Sequence, residues 1–215
     1  MKKLLLATAA AALLSAPAIA TPYDGFYLGG NVVYSTGDAN QTRYSNVGGP
    51  FVFTQNDASI DGWAVGIIAG HDWTVSGNLV IGLEGNWDFG GPSGDDAGSG
   101  GDVNEWDQTS EASLRARLGF LVSPSTLIYG TVGYSWAEYD ANVLNAPTSS
   151  RSHTFSDWTY GVGVETALTS SMTARFQYRH TAYSADRVSF APAEAYDIEA
   201  GPTTDNFSLG FAFHF

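Results

Sequence analysis

The chain has no cysteine. No disulfide framework can staple it, and no lipid anchor through an N-terminal cysteine is available. Lysine is nearly as scarce: Lys2 and Lys3 are the only two. Beyond residue 20 the positive charge rests on seven arginines against 22 acids, a formal charge of −15. That balance excludes nucleic acid as a natural partner, because phosphate binding needs clustered Lys and Arg. Charged residues make up only 14% of the chain. No apolar run after residue 20 approaches the length of a membrane-spanning helix, about 20 residues. In their place stand aromatic residues (13%) and 25 glycines. A chain poor in charge and rich in Gly and aromatics, with no long apolar run, has what a β-barrel in lipid requires. There every backbone group must be paired, and closure is the only all-β way to do it.

Both chain ends point the same way. Residues 1–20 read as a secretory signal peptide: Lys2 and Lys3 form the charged region, Leu4 to Leu14 the apolar region, and Ala18-Ile19-Ala20 a small-x-small cleavage site. The mature domain is then expected to span 21–215. At the far end Phe207, Leu209, Phe211, Phe213 and Phe215 are spaced two apart, with Ser208, Gly210, Ala212 and His214 between them. Period two means a strand with one apolar face and one small or polar face. A closing strand that ends on an aromatic is the expected C-terminal assembly signal of an outer-membrane barrel, its apolar face toward lipid.

Eight segments carry this alternation, at about 25–37, 60–73, 78–90, 109–122, 127–140, 157–168, 172–184 and 205–215. Long polar stretches (about 38–59, 91–108, 141–156 and 185–204) alternate with short turns around 74–77, 123–126 and 169–171. Segments of roughly ten to thirteen residues suit tilted strands crossing the hydrocarbon. The expected fold is one all-β domain, an eight-stranded antiparallel up-and-down transmembrane β-barrel. Both termini and the short turns are expected on the periplasmic side and the four long loops outside. Tyr34, Trp63, Trp87, Phe89, Trp136, Trp158 and Tyr160 fall near the loop ends of their strands, and Trp73 and Phe215 near the turn ends, as two interfacial belts would. The phase of the fifth segment is the least clear; Ile128, Val132, Tyr134 and Trp136 are assigned outward and Tyr129 inward.

The inward parity collects charge. Glu84, Arg115, Arg117, Glu165, Arg175 and Arg179 all fall on it, so four of the seven arginines point into a narrow lumen. On the lipid face each would cost about 2–4 kcal/mol near the midplane. Inside, opposite charges can satisfy one another. These six are expected to form a polar network filling the lumen, and the rival reading is an ion-selecting constriction.

The chain also resembles a known group. Tyr23 to Asn31 (YDGFYLGGN), Gly66 to Trp73 (GIIAGHDW), Gly82 to Gly85 (GLEG), Leu114 to Gly119 (LRARLG), Tyr129 to Tyr134 (YGTVGY), Tyr160 to Glu165 (YGVGVE) and the closing FSLGFAFHF are similar, in order and spacing, to the small bacterial outer-membrane β-barrel family. That family includes porin-like surface antigens and haem-binding surface proteins. The resemblance implies an outer-membrane barrel but no single activity, and it brings no catalytic motif. Because the chain ends at the eighth strand, the peptidoglycan-binding domain of larger OmpA-type proteins is not expected.

Other chemistry is weakly signalled. His180 and Ser184, with Asp186, are a loose Ser–His–acid set whose spacing does not match that of lipid-modifying barrel hydrolases. Asp95, Asp96, Asp102, Glu105 and Asp107 offer oxygen ligands but no calcium-loop spacing. His153 near Phe155, or Tyr196, would be the haem-ligand candidates. No cofactor, metal or catalytic residue is therefore assigned. The expected role is structural and surface-interacting in the cell envelope, with a small-solute porin and a surface receptor or adhesin as alternatives. Expected partners are outer-membrane lipid and lipopolysaccharide, and the barrel-assembly machinery through the last strand.

Overall fold

The computed structural model describes residues 23–45, 52–97, 103–143, 149–189 and 196–215. The proposed signal segment, residues 1–20, lies outside them. Nine strands form one antiparallel sheet: β1 Gly25–Ser45, β2 Val52–Ser76, β3 Leu79–Ala97, β4 Val103–Ser123, β5 Thr126–Val143, β6 Ser149–Ala167, β7 Met172–Ala182, β8 Asp186–Ser189 and β9 Tyr196–His214. Each strand pairs with the next along the chain through β7, and β7 and β8 both pair with β9. β9 returns to β1, from Tyr27↔His214 to Ser45↔Tyr196, and closes the sheet. β7 and β8 occupy one position in the wall, so the barrel is eight-stranded. Closure leaves the membrane-crossing part of the sheet without the free edges that lipid would not tolerate.

The alternation dictates the two faces. Phe26, Leu28 and Val32 of β1, Trp63, Val65 and Ile67 of β2, Leu114, Leu118 and Phe120 of β4, and Leu209, Phe211 and Phe213 of β9, with Phe215 just beyond it, are exposed. Their neighbours one residue along are buried inside. On β5 the assignment of Ile128, Val132 and Trp136 outward and Tyr129 inward agrees with the structure. Rings gather at the loop end, with Tyr34 on Trp63 (5.0 Å), Tyr134 on Trp158 (5.9 Å) and Trp87 stacked on Phe89 (5.3 Å).

The strands run further than the alternation of apolar residues indicated. β1 to β6 are 18 to 25 residues long, where about ten suffice to cross the hydrocarbon. Much of the stretches read as long loops is therefore strand, and the wall continues past the aromatic belt. There the apolar face changes sides. Ala39, Ile60, Trp106, Ala137, Tyr139, Phe155 and Tyr183 point inward and form one buried cluster. Below the belt the barrel is apolar outside, as lipid demands; above it, it is apolar inside, as water demands. This inversion explains the ambiguous phase of β5. Apart from the inward Leu127 and Tyr129 at its turn end, its apolar residues sit on even numbers up to Trp136 and on odd numbers from Ala137, with no bulge on the β6 side. The first short turn is also shifted, centring on Gly77 and Asn78 rather than on 74–77, with Gly77 at φ +33°.

Candidate functional site: the charged lumen

The lumen is stratified. At the turn end Tyr23, Val80, Leu127 and Tyr129 form an apolar floor. The Tyr23 hydroxyl donates to the carbonyls of Ser125 and Glu165, both at 2.9 Å, tying the chain's entry into the barrel to the β4–β5 turn and to β6. Tyr129 lies across Gly163, its register partner on β6, where any Cβ would meet the ring at 2.4 Å. Its ring carries the Arg117 guanidinium at 3.9 Å.

Above the floor lies the first charged layer, centred on Glu84. One carboxylate oxygen pairs with Arg115. The other accepts from Arg175 at 2.6 Å and from the Tyr27 hydroxyl at 2.8 Å, with Arg117 at 3.7 Å. Arg117 pairs in turn with Glu165 and lies 3.7 Å from Asp72. Glu165 also accepts from Thr173 at 2.7 Å and faces His214 at 3.4 Å. Glu84 and Glu165 are both 0% exposed, so these pairs are removed from water. At such depth ion pairs hold only when the geometry is good and further hydrogen bonds support them, and in both glutamates each carboxylate oxygen has at least one donor.

A second layer sits nearer the belt. Arg179 reaches Glu111 at 2.8 Å, the Asn86 oxygen at 3.0 Å and Asp88 at 3.3 Å. Ser135 donates to Glu111 at 2.6 Å, and the Tyr183 hydroxyl donates to Ser135 at 3.2 Å. The inward-pointing apolar cluster closes the top.

All six lumen residues named from the sequence are buried on the inner face. Five meet around Glu84 and Glu165, and Arg179 belongs to the second layer. Asp72, Asp88, Glu111, Tyr27, Asn206 and His214 were not assigned to the network. Parity alone would have added Asp72 and Asp88. It would also have added Glu111, which shares its parity with Ser113, Arg115 and Arg117; the register shift between Gln108 and Ser110 lies before it and leaves that phase intact.

The wall has one weak line. The β6–β7 ladder spans only Thr159 to Ala167 on β6. Above it, side chains bridge the gap: the Ser184 backbone N–H and hydroxyl donate to Asp157 at 2.9 and 2.6 Å, and His153 meets Asp186 at 3.1 Å. These contacts dismantle the loose Ser–His–acid set. Ser184 is committed to Asp157, His180 to Asp205 (2.8 Å) and Asp186 to His153. His153 packs edge-on against Phe155 at 4.7 Å. Asp102 lies outside the described residues, and of Tyr196 only its backbone pairing with Ser45 is described.

Comparison with known proteins decides the family. The family model described as an outer membrane protein beta-barrel domain matches residues 6–215. This chain belongs to that family. A 22 kDa outer membrane protein of Rhizobium leguminosarum bv. viciae is 32% identical over 189 residues, covering 88% of this chain and 72% of that one. A 31 kDa outer-membrane immunogenic protein of Brucella melitensis is 27% identical over 177 residues, covering 78% and 74%. Among solved structures, the outer membrane protein OprG from Pseudomonas aeruginosa superposes with a TM-score of 0.61 at 11% identity, covering 90% of this chain and 98% of that one; this likeness is one of fold. The barrel resides in the outer membrane, and its exposed apolar band is the surface that meets lipid.

Proposed function

We propose that this outer-membrane barrel is a closed, non-enzymatic envelope protein whose work is done by its lipid-facing wall and its extracellular hairpins. The observation that carries the reading is the lumen. Four buried arginines and five buried carboxylates pair across it, between an apolar floor and an apolar roof. A small-solute porin would need a continuous aqueous path, and two layers of buried, paired ions leave little room for one. The hairpins of β1–β2, β3–β4 and β5–β6 extend beyond the belt and offer the surface for contact with other molecules. The name of the Brucella relatives, outer-membrane immunogenic protein, favours surface display. Residues 1–20 serve export, and Phe207 to Phe215 present the alternating terminal strand to the assembly machinery. Lipopolysaccharide is the neighbour of the outer half of the wall.

The test separates the two halves of the proposal. The outer parts of the β1–β2 and β3–β4 hairpins, residues 41–56 and 95–104, are replaced by short turns. The shortened protein is expected to insert with unchanged heat-modifiable gel mobility, while binding of cells to host-surface or matrix components falls. Unchanged binding by an inserted, loop-shortened barrel would contradict the surface role.

A further inference from the structure

Between the two charged layers the lumen keeps an internal void of about 10 Å³, lined by Asn31, Asn86, Asp88, Arg115, Arg179 and Asn206 among others. That is close to the space one water requires, on the order of 10–15 Å³. Four atoms on these lining residues are buried without a hydrogen-bond partner: Asn31 Oδ1, Asn206 Oδ1, Arg115 Nε and Arg179 Nε. Arg115, Arg179 and Asn206 are each at least nine-tenths buried. The set is two acceptors and two N–H donors, the complement of a molecule that donates twice and accepts twice.

The four atoms are also held in place. Arg115 is fixed by Glu84, and Arg179 by Glu111, Asp88 and Asn86. The Asn31 amide donates to Asp88 at 3.2 Å and the Asn206 amide to Glu111 at 3.4 Å. Turning either amide over would aim its oxygen at a carboxylate, so the orientation with both oxygens free is the one the network requires. A chloride in the void would face two amide oxygens and the Asp88 carboxylate. A cation would face two guanidinium groups. A neutral water suits both pairs.

We propose that this void is a specific site for one structural water, held by Asn31, Asn206, Arg115 and Arg179. The water joins the two charged layers into a single hydrogen-bonded column from Glu165 to Tyr183. Buried waters of this kind make about three hydrogen bonds and are costly to remove.

The test is water-edited solid-state NMR on the full barrel in lipid vesicles, with labelled Arg, Asn and Val. Magnetisation is expected to pass from water to the Arg115 and Arg179 Hε protons and to be absent at the backbone amide of Val132 in the lipid-facing wall. In Asn206→Leu, and separately in Asn31→Leu, the signal at both arginines is expected to be lost while the heat-modifiable gel shift of a folded barrel remains. No transfer to either arginine in the wild-type barrel would overturn the proposal without any variant. So would Hε shifts that titrate with chloride, which would make the site an ion site. A dry void leaves the closed-lumen reading standing, so the two claims fail separately.

Discussion

Glu84 and Asp72 are both carboxylates fully buried in the same lumen, and their surroundings assign them opposite values. Glu84 holds two arginines and a tyrosine hydroxyl within hydrogen-bond reach. Neither oxygen of Asp72 has a hydrogen-bond partner, and its one ion-pair contact, Arg117, stands at 3.7 Å. Removing one member of a buried, well-bonded pair typically costs about 3–5 kcal/mol, because the partner charge is left behind. Glu84→Gln is therefore expected to lower unfolding stability by about 3–5 kcal/mol, read from urea midpoints in lipid or detergent. Asp72→Asn removes a charge that little compensates, and it evens the lumen count at four arginines against four carboxylates. It is expected to leave stability unchanged or raise it by about 1 kcal/mol. Equal losses in the two variants would contradict this account of the network. The sequence made Glu84 visible because it alternates strictly with Leu83 and Gly85 in a clean run. Asp72 stands where β2 runs out toward its turn, and parity there says which way a side chain points but not what it will meet.

At the scale of the element, the join between β7 and β8 is where pairing with β9 is interrupted, and Pro202 supplies a cause. Tyr183 donates its N–H to the Pro202 carbonyl at 2.9 Å. Proline has no N–H with which to return the bond. The β9 register steps by one residue there, from Ala182↔Thr203 to Asp186↔Ala200. Opposite the bulge stands Gly201, where a Cβ would meet the Tyr183 carbonyl at 2.9 Å. Pro202→Ala restores a donor and is expected to slow amide exchange across residues 183–187; unchanged exchange would mean that the break has another origin. The side-chain bridge beside it has a definite pH range. The Ser184 hydroxyl, with backbone N–H groups of Trp158 and Ser184, holds the Asp157 carboxyl below the usual carboxylate range against a smaller opposing effect of burial. A depressed value means the bridge contributes above the unfolded carboxylate pKa, about 3.9, and is lost as pH falls through the folded one. The Ser184 amide proton shift is expected to stay constant from about pH 8 to pH 5 and to move only with a midpoint below about 3.9. A midpoint at or above that value would contradict the bridge. None of this was legible beforehand. Pro202 falls in a stretch read as loop, where a proline raises no question.

For the whole molecule, the barrel is two solvation regimes on one continuous wall. From the turn end to the aromatic belt the apolar residues point out; beyond it they point in. The eight-strand count, the facing of every membrane segment and the charged lumen were all readable, because lipid imposes a strict period of two and makes outward arginine costly. The upper barrel was not readable as strand. Its outward residues are polar and its inward ones sparse, so Trp106 and Phe155 looked like isolated aromatics in loops, and Tyr139 stood at the very end of the fifth segment. Their shared cluster needs the register to be seen. On the proposed reading the lumen is closed at three levels: the floor at Tyr23 and Tyr129, the paired charges, and the roof. That closure is the central claim, and single-channel conductance of the folded protein in a planar bilayer tests it most directly, with folding checked by its heat-modifiable gel mobility. The account predicts a silent barrel at physiological salt. Steady, reproducible openings from the wild-type protein would show a continuous aqueous path through the paired charges and contradict it.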